Sequence, residues 1–371
     1  MKKMIMPRLK LTLSALTLAF TAATAQAEEV LNFYNWSDYI AEETIAKFEK
    51  ETGIKVNYDV YDSNEILEAK LLAGNSGYDL VVPSSHFMEL QIKAGIFMKL
   101  NKDQLSNLKH LDQDLMATLS KKDPENQYGV PYLWGTTGIG YNPEMVKKVL
   151  GEDAPVDSWD LVFKPENIKK LQECGVTFLD SADEMIPFAL NYLGEEPTSN
   201  KRSDYKMNAP AAKLLTSVRP YVKQFTSSQY VNDLANGDSC VAVGYSGDVF
   251  QAAARAEEAG NGVEVMYTIP KEGTEIWFDM LLIPADAKNA ENAHKFINFL
   301  LRPEIIAEIT DYVWYANPNK DATKLVDTEI VSDGAIYPDD ATKAKLYMTD
   351  KPSMSVLKVR NRLWSDIKTG R

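Results

Sequence analysis

Cysteine is nearly absent from this chain, and neither of its two cysteines, Cys174 and Cys240, lies near the N-terminus. An anchor built on a lipidated cysteine behind a leader is therefore not expected. Histidine is almost as scarce: His86, His110 and His294 fall in separate segments without the spacing of metal ligands. C-x-x-C, H-E-x-x-H and phosphate-cradling glycine loops are missing, so no metal and no cofactor is expected. Gly244-Tyr245-Ser246-Gly247-Asp248 carries Asp where a nucleophile elbow needs glycine, which argues against a serine hydrolase. Nothing else selects a catalytic pair, and the chain reads as a non-enzyme. After the leader no run approaches the ~18 apolar residues needed to span a bilayer. Positive charge is also in deficit, with 40 Lys and Arg against 53 Asp and Glu.

The first 27 residues account for four of those positive charges, Lys2, Lys3, Arg8 and Lys10. They precede an apolar run over 11–24 that closes on Ala25-Gln26-Ala27, the pattern of a cleaved signal peptide. The mature chain is expected to start at Glu28 and to work outside the cytoplasm. Removing the leader takes the net charge from −13 to −17. Such a field repels nucleic acid and concentrates cationic solutes. In an exported chain the two cysteines read as one structural bridge, the alternative being two buried thiols.

The remaining 344 residues suit two lobes rather than one core. Short apolar runs alternate with amphipathic stretches: strands near 30–34, 55–61, 79–82, 175–180, 240–245, 263–267 and 277–283, and a first helix over 42–50 with Ser37 or Asp38 as cap and Gly53 as terminator. This is an α/β pattern of helices on mostly parallel sheets. The glycine-rich stretch 134–142 reads as one crossing between lobes, and a second is expected after Val249. The boundaries expected are 28–135 with 256–304 for lobe 1, and 136–255 with 305–371 for lobe 2.

In open α/β sheets ligands bind beyond the carboxyl ends of strands. Those ends join carboxylates to aromatics: Trp36-Ser37-Asp38-Tyr39, Tyr245-Ser246-Gly247-Asp248 and Trp277-Phe278-Asp279. An ammonium leaving water needs carboxylate or carbonyl acceptors, and an aliphatic linker needs apolar walls. Aromatic faces supply the walls and ~0.5–2 kcal/mol of cation–π attraction per contact. Each segment also has a purely structural reading: a helix cap at Asp38, sheet core at Trp277 and Phe278, a turn at Gly247-Asp248.

Three longer motifs, N-W-x-D-Y-I from Asn35, Y-D-L-V-V-P-S from Tyr78 and V-P-Y-x-W-G-T-T-G-I-G-Y-N from Val130, resemble the periplasmic polyamine-binding proteins of putrescine and spermidine ABC importers. The likeness continues through Val243 to Asp248, Pro284 to Asn289 and Tyr315 to Pro318, covering essentially the whole mature chain. It implies a two-lobed type II periplasmic-binding-protein fold, hinged, with the ligand in the cleft. It implies an aromatic box of Trp36, Tyr39, Tyr245, Trp277 and Tyr315, hydrogen bonds from Ser37 and Ser84, and carboxylates Glu184, Asp248 and Asp279 on the ammonium groups, with Asp38 acting directly or through water. It also supports the Cys174–Cys240 bridge. The implied partners are spermidine or putrescine and a membrane permease, with the protein a monomer; a sensor that docks on a signalling receptor would carry the same cleft. Putrescine binders often have Trp where Tyr245 stands and Phe where Trp277 stands, so the indole at 277 is expected to favour spermidine.

Overall fold

The structure, a computed structural model, describes residues 29–350 and 352–370, and the expected leader over 1–27 lies outside them. The nine strands among the described residues are β1 (Val30–Trp36), β2 (Lys55–Tyr61), β3 (Leu80–Val81), β4 (Gly129–Tyr141), β5 (Val176–Phe178), β6 (Gln224–Phe225), β7 (Val241–Tyr245), β8 (Met266–Thr268) and β9 (Ile276–Leu282). They order as β2-β1-β3-β9-β4-β7-β5-β6, with β8 added on β4.

Strand β4 is the reason that order holds two sheets. Its first half, to Thr136, pairs antiparallel with β9, and its second half, from Thr137, pairs antiparallel with β7 and β8. Thirteen residues, nearly all buried, carry the chain from one lobe into the other. The outer strands of both sheets are parallel, β1 with β2 and β3, and β5 with β6 and β7, so their carboxyl ends point the same way within each lobe.

Alternation along the strands decides which core each side chain joins. In β9, Leu281 faces one core with Leu31, Phe33, Phe296 and Ile309, while Met280 and Leu282 face a smaller one with Leu67, Val81 and Phe97. The second lobe has a core of its own, from Ile139 and Trp159 through Phe178 and Leu234 to Trp364. Cys174 and Cys240 are joined beside it, their Cα atoms 5.4 Å apart.

These cores divide the chain differently from the sequence expectation. Ile305, Ile309, Val313, Ile330 and Ile336 bury in the first lobe, because helix Pro303–Val313 turns its apolar face onto it, whereas 305–371 was expected in the second. Val265 and Tyr267 belong to the second lobe, although 256–304 was expected in the first. No crossing follows Val249: helix Ser246–Ala259 runs unbroken, its stripe of Val249, Ala252 and Ala256 buried against the second core. The chain returns instead between β8 and β9. There Ile276 donates its amide to the Tyr347 carbonyl (2.9 Å) and Tyr347 donates to Thr274 (3.1 Å), bringing a third connecting segment alongside.

The first helix, Glu42–Thr52, ends at Gly53 as expected, with the glycine left-handed at φ 74°. Its start is different. Ala41 occupies the cap with no side-chain bond, while Ser37 donates to Asp62 (2.7 Å) and Asp38 turns left-handed at φ 53°, so neither is free to cap.

Candidate functional site

The carboxyl ends of β1, β2, β3 and β7, the start of helix Ala182–Tyr192, strand β9 and the residue after Trp314 converge on one cleft with about 890 Å³ of atom-free space, its mouth included. All eleven side chains expected from the sequence line it: Trp36, Ser37, Asp38, Tyr39, Ser84, Glu184, Tyr245, Asp248, Trp277, Asp279 and Tyr315. Eight carboxylates line it in all, adding Asp62, Glu65, Asp183 and Glu275, and among the described residues no lysine or arginine does.

Asp248 stands in the first turn of helix Ser246–Ala259 and is held by two tyrosine hydroxyls. Tyr230 donates to Oδ2 and Tyr315 to Oδ1, each at 2.7 Å, while the Tyr315 oxygen accepts the Asp248 amide at 3.0 Å. Both tyrosines come so close that the backbone leaves room only for glycine. A Cβ at Gly244 would lie 2.4 Å from the Tyr230 ring, and one at Gly247 would lie 2.4 Å from that of Tyr315. Burial pushes the Asp248 carboxyl up to about 6, against the two hydroxyls that pull it down.

Asp279 accepts from Ser84 at 2.6 Å, and Asn64 in turn donates to the Ser84 oxygen at 3.0 Å. Its carboxyl is pushed up to about 7 by burial, opposed by the Ser84 and Tyr39 hydroxyls. Glu184 accepts from Thr137 (3.1 Å) and Tyr245 (3.0 Å), and burial raises it too to about 7. Each of these groups has lost water and gained hydroxyl donors, yet among the described residues no lysine or arginine is bonded to any of them. A buried carboxylate without a positive partner is costly, and the raised values express that cost.

Aromatic rings join the carboxylates. Tyr39 meets Tyr315 edge-on with centroids 5.0 Å apart, Tyr315 meets Trp277 at 5.4 Å, and Trp277 meets Tyr245 at 5.9 Å. The Trp277 indole is anchored by donating to Thr137 Oγ1 (3.2 Å). Trp36 is anchored at the rim by donating to the Val82 carbonyl (2.8 Å) and packs on Tyr61.

Two acidic residues are already matched by cations. Asp38, its side chain 61% exposed, pairs with Arg255 at 3.1 Å, linking the turn after β1 to helix Ser246–Ala259 at the outer edge of the cleft. Asp183 pairs with the buried Arg360 of the C-terminal helix Met354–Thr369.

Sequence reasoning overlooked Glu275, Tyr230, Asp62, Asn64 and Glu65. Period-two alternation backward from Asp279 and Trp277 reaches Glu275, the residue just before β9, so a signal for it was present. Asp62, Asn64 and Glu65 follow the carboxyl end of β2, one of the parallel strands whose ends the open-sheet rule singles out. Nothing in the sequence marks Tyr230.

A family model for bacterial extracellular solute-binding proteins matches residues 43–339. The putrescine-binding periplasmic protein SpuD of Pseudomonas aeruginosa is 56% identical over 370 residues, covering 99% of this chain and 100% of its own. The putrescine-binding periplasmic protein PotF of Escherichia coli is 53% identical over 355 residues, 95% of each chain. Among solved structures, the spermidine/putrescine ABC transporter substrate-binding protein PotD of Streptococcus pneumoniae superposes with a TM-score of 0.74 at 29% identity, over 92% of this chain and 99% of that one.

Proposed function

Because the chain belongs to the bacterial extracellular solute-binding proteins, we propose that it captures a linear polyamine, spermidine or putrescine, in the periplasm and delivers it to the membrane permease of an ABC importer. The observation that carries this reading is the cleft's lining: eight carboxylates, no lysine or arginine among the described residues, and a row of aromatic rings between the carboxylates. An ammonium beside Asp248, Asp279 or Glu184 supplies the missing positive partner, and the methylene chain lies on the rings. The names of the putrescine-binding relatives support the same ligand class.

No bond is made or broken. Asp279, Ser84 and Tyr39 belong to the lobe built on β1 and β9, whereas Glu184, Tyr245 and Asp248 belong to the other, so a ligand that touches both sets favours the closed state over the open one. Closure about the three connecting segments then presents both lobes of a monomer to the permease. Micromolar affinity corresponds to about −8 kcal/mol, within reach of a few desolvated ion pairs and ring contacts.

The test is calorimetric titration of the protein after unfolding, washing and refolding to strip any ligand, with putrescine, spermidine and, as an anionic control, glutamate. Binding of an amine and not of glutamate supports the reading. Heat from glutamate alone would discard it.

A further inference from the structure

Glu275 is a further carboxylate of the cleft, set apart by its place between the lobes. Glu275 is 1% exposed, lies where the return segment between the lobes meets the third connecting segment, and lines the cleft. Its Oε1 accepts the Thr349 hydroxyl and stands 3.9 Å from His86 Nδ1, while Oε2 has no hydrogen-bond partner. Lys122, bonded to the Thr349 carbonyl, lies close enough to act on this carboxyl without bonding to it, so the buried oxygen without a donor can accept an ammonium.

Glu275 is also joined to Glu184. Thr137 donates its amide to the Glu275 carbonyl (3.3 Å) and its hydroxyl to Glu184 (3.1 Å), and it accepts the Trp277 indole. The carboxylates therefore fall into two groups with Trp277 between them: Asp248 and Asp279 around Tyr39 and Tyr315, and Glu184 and Glu275 around Thr137 and Tyr245. A diamine brings two positive charges to four buried carboxylates, so two of the four must stay protonated; a triamine leaves one. We infer that Glu275, with Glu184, forms a further cation subsite at the hinge side of the cleft and takes the third ammonium of a linear triamine. This rests on the polyamine reading and deepens it. It also ties occupancy to the hinge, since Glu275 is bonded through Thr349 and paired through Tyr347 to the third connecting segment.

The experiment compares spermidine with putrescine on wild type and Glu275→Gln by calorimetry. The ratio of spermidine to putrescine affinity should fall at least about tenfold in the variant, the loss expected when one partner of a buried charge pair is removed. A second measurement needs no variant. Titrations of wild type at pH 7 in two buffers of different ionisation enthalpy count the protons released on binding. Burial and the neighbouring Glu184 hold Glu275 well above the usual carboxylate range, so spermidine should release more protons than putrescine. An unchanged affinity ratio in a folded variant, or equal proton release by the two amines, overturns the subsite while leaving polyamine binding intact. If wild type binds neither amine, the polyamine reading falls and the subsite with it.

Discussion

Replacing Asp248 with Asn should weaken ligand binding and at the same time stabilise the ligand-free protein, and the opposite signs follow from one cause. The carboxyl is largely enclosed by Tyr230, Tyr315 and the start of a helix, with its pKa raised from 3.8 to about 6. At ~1.4 kcal/mol per unit, that rise corresponds to ~3 kcal/mol of instability above pH 6. The sign follows from proton binding: the folded state holds the proton more tightly, so stability is full below pH 4, declines as pH rises from about 4 to about 6, and stays low beyond. Asn keeps one acceptor and never ionises. Setting ~1 kcal/mol against the weaker hydrogen bonds leaves a net gain of ~2 kcal/mol at pH 7.5, roughly 4–8 °C in melting temperature for a lobe of this size. The gain should fade as pH falls from about 6 and give way below pH 4 to a loss of about 1 kcal/mol. Affinity for putrescine or spermidine should drop by ~2–5 kcal/mol, at least thirtyfold. Differential scanning fluorimetry of stripped protein across pH 4–8, paired with calorimetry at pH 7.5, reads both arms. A melting temperature that falls at pH 7.5 while affinity persists would refute the reasoning, since it would make Asp248 a structural residue already satisfied by its tyrosines.

Four further outcomes follow from the same geometry. Trp277→Phe removes the indole bond to Thr137 and shortens the flat face between the carboxylate groups, so the ratio of putrescine to spermidine affinity should rise severalfold in competition titrations. Gly247→Ala puts a methyl 2.4 Å from the Tyr315 ring; the displaced ring should cost affinity about tenfold or more by calorimetry, whereas unchanged binding would mean that the ring has no part in holding Asp248. Lowering pH from 7.5 to 5 should weaken polyamine binding, because Asp248, Glu184 and Asp279 take up protons at about 6, 7 and 7 and the ammonium must displace them. Reduction of the Cys174–Cys240 bridge, which spans 66 residues, should lower stability by ~4 kcal/mol on the chain-entropy estimate, seen as a lower denaturant midpoint with and without reductant.

The features that depend on local pattern were legible in the amino-acid sequence. Strand and helix periodicity, the left-handed Gly53 and the long crossing at β4 required only neighbouring residues, as did the strand-end pairs of aromatic and carboxylate that contain eight of the eleven side chains now found around one cleft; Ser84, Glu184 and Tyr315 came from the family resemblance. Acidity and the shortage of lysine and arginine in the motifs pointed toward a cation for the same reason. What the tertiary structure decided were matters of long-range pairing. Whether 305–336 joined the first core or the second turned on which sheet face was left uncovered, which no local pattern records. Asp38 looked equivalent to Asp248 along the chain, yet one meets Arg255 at the open edge, 217 residues away, and the other meets Tyr230 and Tyr315, 18 and 67 residues away. Alternation from Trp277 and Asp279 reaches Glu275, but the desolvation that sets its chemistry exists only once two connecting segments have packed over it.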